Sequence, residues 1–154
     1  MQNAVIQEAE VYGAVAPDAD KEDGIDMKWN YKIDLIDDAV FHEIEKQRGI
    51  QIPENLISLV KEGNAATPEK YKFMIGQTEK VVGAILSFNK GDSDSVFTAL
   101  DIIEDQRIVP FAIDPFGNYI CLNLKNKEVI FWNHETGDTF STEKELEAFL
   151  KSLY

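Results

Sequence analysis

A single cysteine, Cys121, stands in a chain of 154 residues. No internal disulfide can form, so the fold must rest on its own packing. No run of about 18 apolar residues occurs, the length a membrane-spanning helix requires. The opening residues, MQNAVIQEAE, carry acids where a secretory leader would carry Lys or Arg. Together these scarcities predict a cytoplasmic protein. Positive charge is also scarce: 15 Lys and Arg face 28 Asp and Glu, for a formal net charge of −13. The bases are scattered, at their closest only two positions apart, as in Lys125 and Lys127. A protein that neutralises several phosphates needs Lys and Arg gathered together. Direct binding of nucleic acid is therefore not expected, nor is attachment to an anionic membrane. Chemical motifs are missing too. The two histidines, His42 and His134, fall in no HExxH or CxxC pattern, and a metal site needs three or four ligands. No Ser sits in a G-x-S-x-G context and no Gly-rich loop could cradle phosphate. No catalytic, cofactor-binding or metal residue is assigned, and an enzyme is not expected.

What is present fits one folded unit. The chain is close to the commonest domain size and long enough to bury a sizeable core. Hydrophobic residues make up 44% and aromatics 10%, a composition of folded globules and not of disordered tails. The negative charge is uneven: residues 1–47 carry a net −8, residues 48–132 a net −2, and residues 133–154 a net −3. Such a field attracts a basic protein and repels nucleic acid, although it can also serve solubility alone.

Punctuation divides the chain. Pro17 and Gly24 bracket an acidic stretch, so residues 1–26 are read as an acidic N-terminal extension and 27–154 as the domain. A first helix is predicted from the spacing of Ile36, Val40, Phe41 and Ile44, with Asp34, Asp37 and Asp38 at its start and Gly49 as terminator. A second runs from Pro53 to Glu62 on Leu56, Ile57 and Val60. Tyr71 to Ile75 and Val81 to Phe88 read as strands, joined through Gly76 to Glu79. A third helix uses Val96, Phe97, Leu100 and Ile103. Ile108–Ile113 reads as a strand that Pro110 confines to an edge, a start or a bulge. The stretch from Asp114 to Asn118 is a turn signal, and Tyr119–Leu124 and Glu128–Trp132 read as strands. Thr142 and Glu145 have capping-box spacing before a final helix with its stripe at Leu146, Phe149, Leu150 and Leu153. This order is α+β, with a largely antiparallel sheet and not a βαβ alternation.

These residues resemble a known family. Gly49 through Pro53, Gly83 through Phe88, Ile108 through Asp114, Gly117-Asn118, Val129 through Trp132, His134-Glu135 and a helix ending in Phe149-Leu150 follow the order seen in the SUKH superfamily. That group includes a yeast cell-wall-synthesis regulator (Smi/Knr) and many bacterial toxin-immunity proteins. The resemblance spans about residues 28–154, and its most specific parts are the Pro-led second helix, the Asp-x-x-Gly-Asn turn and the Trp-x-His-Glu segment. Gly63-Asn64-Ala65 departs from the Asn-Gly-Gly turn common in the family, and the acidic extension is not part of the pattern. The resemblance implies a SUKH-like fold, with N-terminal, mid-chain and C-terminal helices packed on the sheet. It implies a protein-binding module and not an enzyme.

The expected partner is a protein, a basic toxin domain for an immunity protein, or an endogenous protein for a cell-wall regulator. A small-molecule binder using a cleft between helices and sheet is the reading from a different class. Candidate partner contacts are Asp34, Asp37 and Asp38 on the first helix, and Asp114, Asn118, His134 and Glu135 on the loops. Each has a plainer reading. Asp114, Gly117 and Asn118 are turn formers, His134 and Glu135 can fix a loop, and the helix acids can form a solvated face. Cys121 reads as a small buried hydrophobe, and Trp29 and Trp132 as core or interface anchors.

Overall fold

The computed structural model describes residues 27–154, and the acidic extension expected at 1–26 lies outside the described residues. The elements in chain order are β1 (Trp29–Asn30), α1 (Ala39–Arg48), α2 (Glu54–Gly63), β2 (Thr67–Pro68), β3 (Lys72–Ile75), β4 (Thr78–Val81), β5 (Ala84–Ile85), α3 (Val96–Ile102), β6 (Ile108–Ile113), β7 (Tyr119–Asn123), β8 (Glu128–Trp132), β9 (Thr139–Glu145) and α4 (Leu146–Ser152). Strands β5 to β9 form one sheet in sequence order, each neighbour antiparallel. β1 pairs with β2, and β3 with β4, as separate two-stranded ladders. The protein is therefore α+β, with the SUKH-like order of helices around an antiparallel sheet.

The central strands of the sheet are covered on both faces, while the edge strand β9 is mostly exposed. In β7, Tyr119 through Leu122 are all buried, without the alternation of a half-exposed strand. α4 fills the space between the sheet and the β3–β4 hairpin. The Phe149 ring meets Phe73 edge-on at 5.0 Å and Phe111 at 6.5 Å, and Leu146, Phe149, Leu150 and Leu153 are all buried as their spacing predicts. Truncating a fully buried Phe costs about 3–5 kcal/mol, so Phe149 ties three layers together. The two ends of the helical layer are joined by Arg48. Its guanidinium donates to the carbonyls of Leu100 (3.3 Å), Ile103 (3.3 Å) and Asp105 (2.8 Å), closing the free carbonyl end of α3. Burial pulls the Arg48 pKa down, and nearby Asp105 opposes that shift.

Four expectations need correction. Ile36 is not part of the α1 stripe: the helix begins at Ala39 and Ile36 is 83% exposed. Asp34, Asp37 and Asp38 accordingly precede the helix, where Asp37 Oδ1 accepts from Ala39 N at 3.0 Å. The apolar run Val81–Phe88 is not one strand. β4 ends at Val81 and the chain crosses onto the main sheet at Gly83, whose N–H donates to Ile113 O at 2.8 Å. A Cβ there would lie 2.9 Å from that same oxygen, so only glycine allows the crossing. Thr142 does not cap the last helix. It lies in β9, and its hydroxyl donates to Val129 O at 2.7 Å. α4 starts after an extended Glu145 with no side-chain cap. The exposed edge of β8 offered more hydrogen bonds than one local cap, and tertiary pairing overrode the local signal. Pro53 sits one place earlier than expected, as N-cap of α2 and not its first residue. Pro110 does mark a bulge, with a register shift between Pro110 and Ala112.

Candidate functional site

The structure separates the candidate residues into two regions. Gly83 adjoins Asp114 at one end of the segment that carries β5, and Asn89 holds the backbone of Asp34 at the other. Six residues at about 3.3 Å each allow the two ends of that segment to lie up to about 20 Å apart.

The first region is the sheet end where the β6–β7 turn meets the β8–β9 loop. Asp114 is only 6% exposed, and its carboxylate builds the turn. Oδ1 accepts from Phe116 N (2.9 Å) and Asn118 N (2.8 Å), and Oδ2 accepts from Asn118 Nδ2 (3.0 Å). Gly117 takes φ +89, a conformation that side chains disfavour. Asn118 then reaches across, its Oδ1 accepting from His134 N at 3.0 Å. The neighbouring loop is fixed in the same manner. Asn133 Oδ1 accepts from Glu135 N (2.8 Å) and Thr136 N (3.3 Å), and Gly137 N donates to Asn133 O (2.7 Å). With the backbone satisfied internally, side chains point away. Phe116 is 74% exposed at the tip, and His134, Glu135 and Asp138 are exposed beside it. The Tyr119 and Trp132 rings stand at 5.8 Å on the paired strands behind. Asp114 and Asn118 thus hold the frame, while His134 and Glu135 face solvent.

The second region is the strap from Tyr31 to Asp38 that leads into α1. Two buried amides pin it. Asn64, fully buried, donates from Nδ2 to Ile33 O (2.9 Å) and accepts at Oδ1 from Phe88 N (2.8 Å). Asn89, 4% exposed, donates to Asp34 O (2.9 Å) and accepts from Ile36 N (2.8 Å). Asp92 Oδ2 accepts from Ser87 Oγ (2.7 Å) and Asn89 Nδ2 (3.2 Å), completing the network. The strap therefore cannot turn Tyr31, Ile33 or Ile36 inward, and all three are exposed. Its acids are partly neutralised: Asp34 pairs with Lys32 at 3.6 Å and Asp38 with Lys61 at 3.7 Å. An open cleft of about 550 Å³ lies along it, lined by Leu35, Ile36 and Asp37 among others. Asn64 and Asn89 were readable in the sequence only as turn residues, because nothing in their spacing signals burial.

The remaining chemistry is sparse. Burial pushes the Cys121 thiol well above its usual range, so it stays protonated and unreactive at neutral pH. Among the described residues, no group of three or more His, Cys, Asp or Glu could hold a metal ion, and no helix is long and apolar enough to cross a membrane. A second open cleft of about 660 Å³ beside α1 and α2 is flanked by Asp38, His42, Glu45, Glu54, Lys61 and Lys127. That is unlike the deep apolar pocket with a few converging polar groups that marks a small-molecule site.

The chain is similar to known proteins. The family model SUKH_6, described as SMI1-KNR4 cell-wall, matches residues 38–150. The chain is also similar to the SPbeta prophage-derived uncharacterized protein YokK of Bacillus subtilis (strain 168). The two are 33% identical over 69 residues, which covers 40% of this chain and 36% of that protein. The match thus spans little more than a third of the relative's length.

Proposed function

The chain belongs to the SMI1-KNR4 cell-wall family of the SUKH group, and on that premise we propose that it is a protein-binding module that neutralises a cognate toxin by direct contact. The observation that carries this reading is the pairing of a net charge of −13 with large apolar side chains held outward on internally hydrogen-bonded backbone. Charge of one sign speeds encounter with a basic protein, and the gain falls as salt rises. Exposed aromatic and aliphatic side chains then supply the anchors that slow dissociation. A toxin that acts on nucleic acid presents a basic groove, and this anionic surface can occupy it in place of phosphates. The prophage origin of the similar Bacillus subtilis protein fits a role carried on mobile elements.

Co-expression with the polypeptide encoded by the adjacent reading frame tests the proposal. Growth rescue together with a stable complex at low salt is the expected result. Absence of both rescue and complex would reject toxin neutralisation. A complex with a host protein, with no effect on any toxin, would instead favour the regulatory role that the cell-wall description of the family suggests.

A further inference from the structure

Of the surfaces that present large apolar side chains, the strap (Tyr31 and Ile36) and the sheet end (Phe116) carry the most exposed ones, and these two differ in the charge around them. We propose that the docking face is the sheet end built by the Asp114–Asn118 turn and the Asn133–Asp138 loop, and that it receives a basic segment of the partner with an apolar socket for Phe116. This rests on the protein-binding reading above and names the face that does the binding.

Charge complementarity selects both the face and its occupant. Residues 108–124 and 128–143 contain no Lys or Arg. Glu135 and Asp138 are exposed on the loop and form no ion pair among the described residues. Lys80 of β4 lies over the Phe131 ring, 4.5 Å from its centroid, and is engaged on the face of the sheet. The strap at 31–38 has acids as well, but Lys32 and Lys61 already answer two of them. A basic segment therefore gains more at the loop end than at the strap. Nucleic acid and anionic lipid would be repelled there.

Rigidity points to the same place. Phe116 N is locked to the Asp114 carboxylate, and that carboxylate is locked to Asn118, which is bound to His134 N. The fold gains nothing from a large ring at the tip, since the Phe116 side chain is left mostly in solvent. Holding an anchor ready in this way removes ordering cost at the moment of binding. Arg or Lys beside the socket would meet Glu135 and Asp138, while Phe116 fills the centre, the arrangement expected of an interface anchor and its polar rim.

The test uses the full chain, labelled with nitrogen-15, and two short synthetic peptides of alternating Lys and Leu or alternating Glu and Leu. At low salt the Lys peptide should shift amide resonances at 114–118 and 132–140, and the Glu peptide should not. Phe116→Ser should weaken the Lys peptide about tenfold, a loss typical of an anchor. Ile36→Ser should change it by less than about twofold. Shifts centred on 31–38, equal response to both peptides, or an unchanged affinity in Phe116→Ser would each overturn the proposal. Failure of the wild-type protein to rescue toxin-expressing cells would reject the neutralising role and leave this mapping untouched.

Discussion

The strap at 31–38 and the sheet end at 114–118 and 133–138 solve the same problem by different means. Each holds irregular backbone rigid so that large side chains point into solvent. The sheet end does so with neighbours: Asp114 bonds residues two and four places on, and Asn133 those two and three places on. The strap is held from afar, by Asn64 31 positions from Ile33 and Asn89 53 positions from Ile36. The bonds of the local frame are partly or fully exposed, so water can replace one that is lost. The distant pins reach further in, and the bond from Phe88 N to the fully buried Asn64 is one that water cannot replace. The two regions should therefore respond very differently to loss of one polar side chain.

The largest effect is expected at the buried pin. Asn64→Ala leaves Phe88 N without its partner where solvent cannot reach, and Ile33 O without its partner in a partly buried place. Each orphaned buried group costs about 1–3 kcal/mol, so a loss of about 3 kcal/mol of unfolding free energy should appear in urea titration. Asp114→Ala removes three hydrogen bonds, but Phe116 N and Asn118 N lie in a partly exposed turn that water can reach. About 2 kcal/mol is expected there. An Asn64→Ala loss below that of Asp114→Ala would break the distinction between buried pin and surface frame.

The same distinction explains what could be read from the sequence. The turn from Asp114 to Asn118 was legible because Asp, Gly and Asn act on backbone within a few residues of themselves. The stripe of α4 was legible because Leu146, Phe149, Leu150 and Leu153 repeat at helical spacing. Gly49 marks the end of α1 for an equally local reason. Apart from the one-place shift at Pro53, the failures involve distant partners. Ile36 has the right spacing for the α1 stripe, yet its N–H is taken by Asn89 and the helix starts later. Thr142 and Glu145 have the spacing of a cap, yet β8 claimed Thr142 for an edge strand. Asn64 and Asn89 were invisible as pins because burial depends on where β5 and α2 settle. Of the site candidates, Asp114 and Asn118 were placed correctly as turn formers. Phe116, which stands at the tip, carries no such signal, because in the sequence it is one more member of the turn.

A smaller effect sharpens the comparison from the backbone side. Gly117 holds φ +89, and an added Cβ would meet His134 Cδ2 at an ordinary 3.7 Å. Crowding is therefore not the issue, and Gly117→Ala should cost only the conformational penalty of about 1 kcal/mol. Thermal melting would register it as a modest drop. A cost near that of Asn64→Ala would mean the turn is braced more tightly than its exposure implies.

The smallest effects on stability belong to the two exposed side chains themselves. Phe116 and Ile36 contribute little to the core, since both are mostly in water. Replacing either with Ser should change unfolding free energy by no more than about 0.5 kcal/mol, and removing an exposed apolar group can even raise solubility. The pair is useful because the two substitutions match in stability and differ in surroundings: Ile36 lies beside the ion pairs of Lys32 and Lys61, and Phe116 among acids without bases. Urea midpoints measured for both variants should coincide with the wild type. A clear loss for Phe116→Ser would show that the ring supports the turn, and its role as a free anchor would fall with that result.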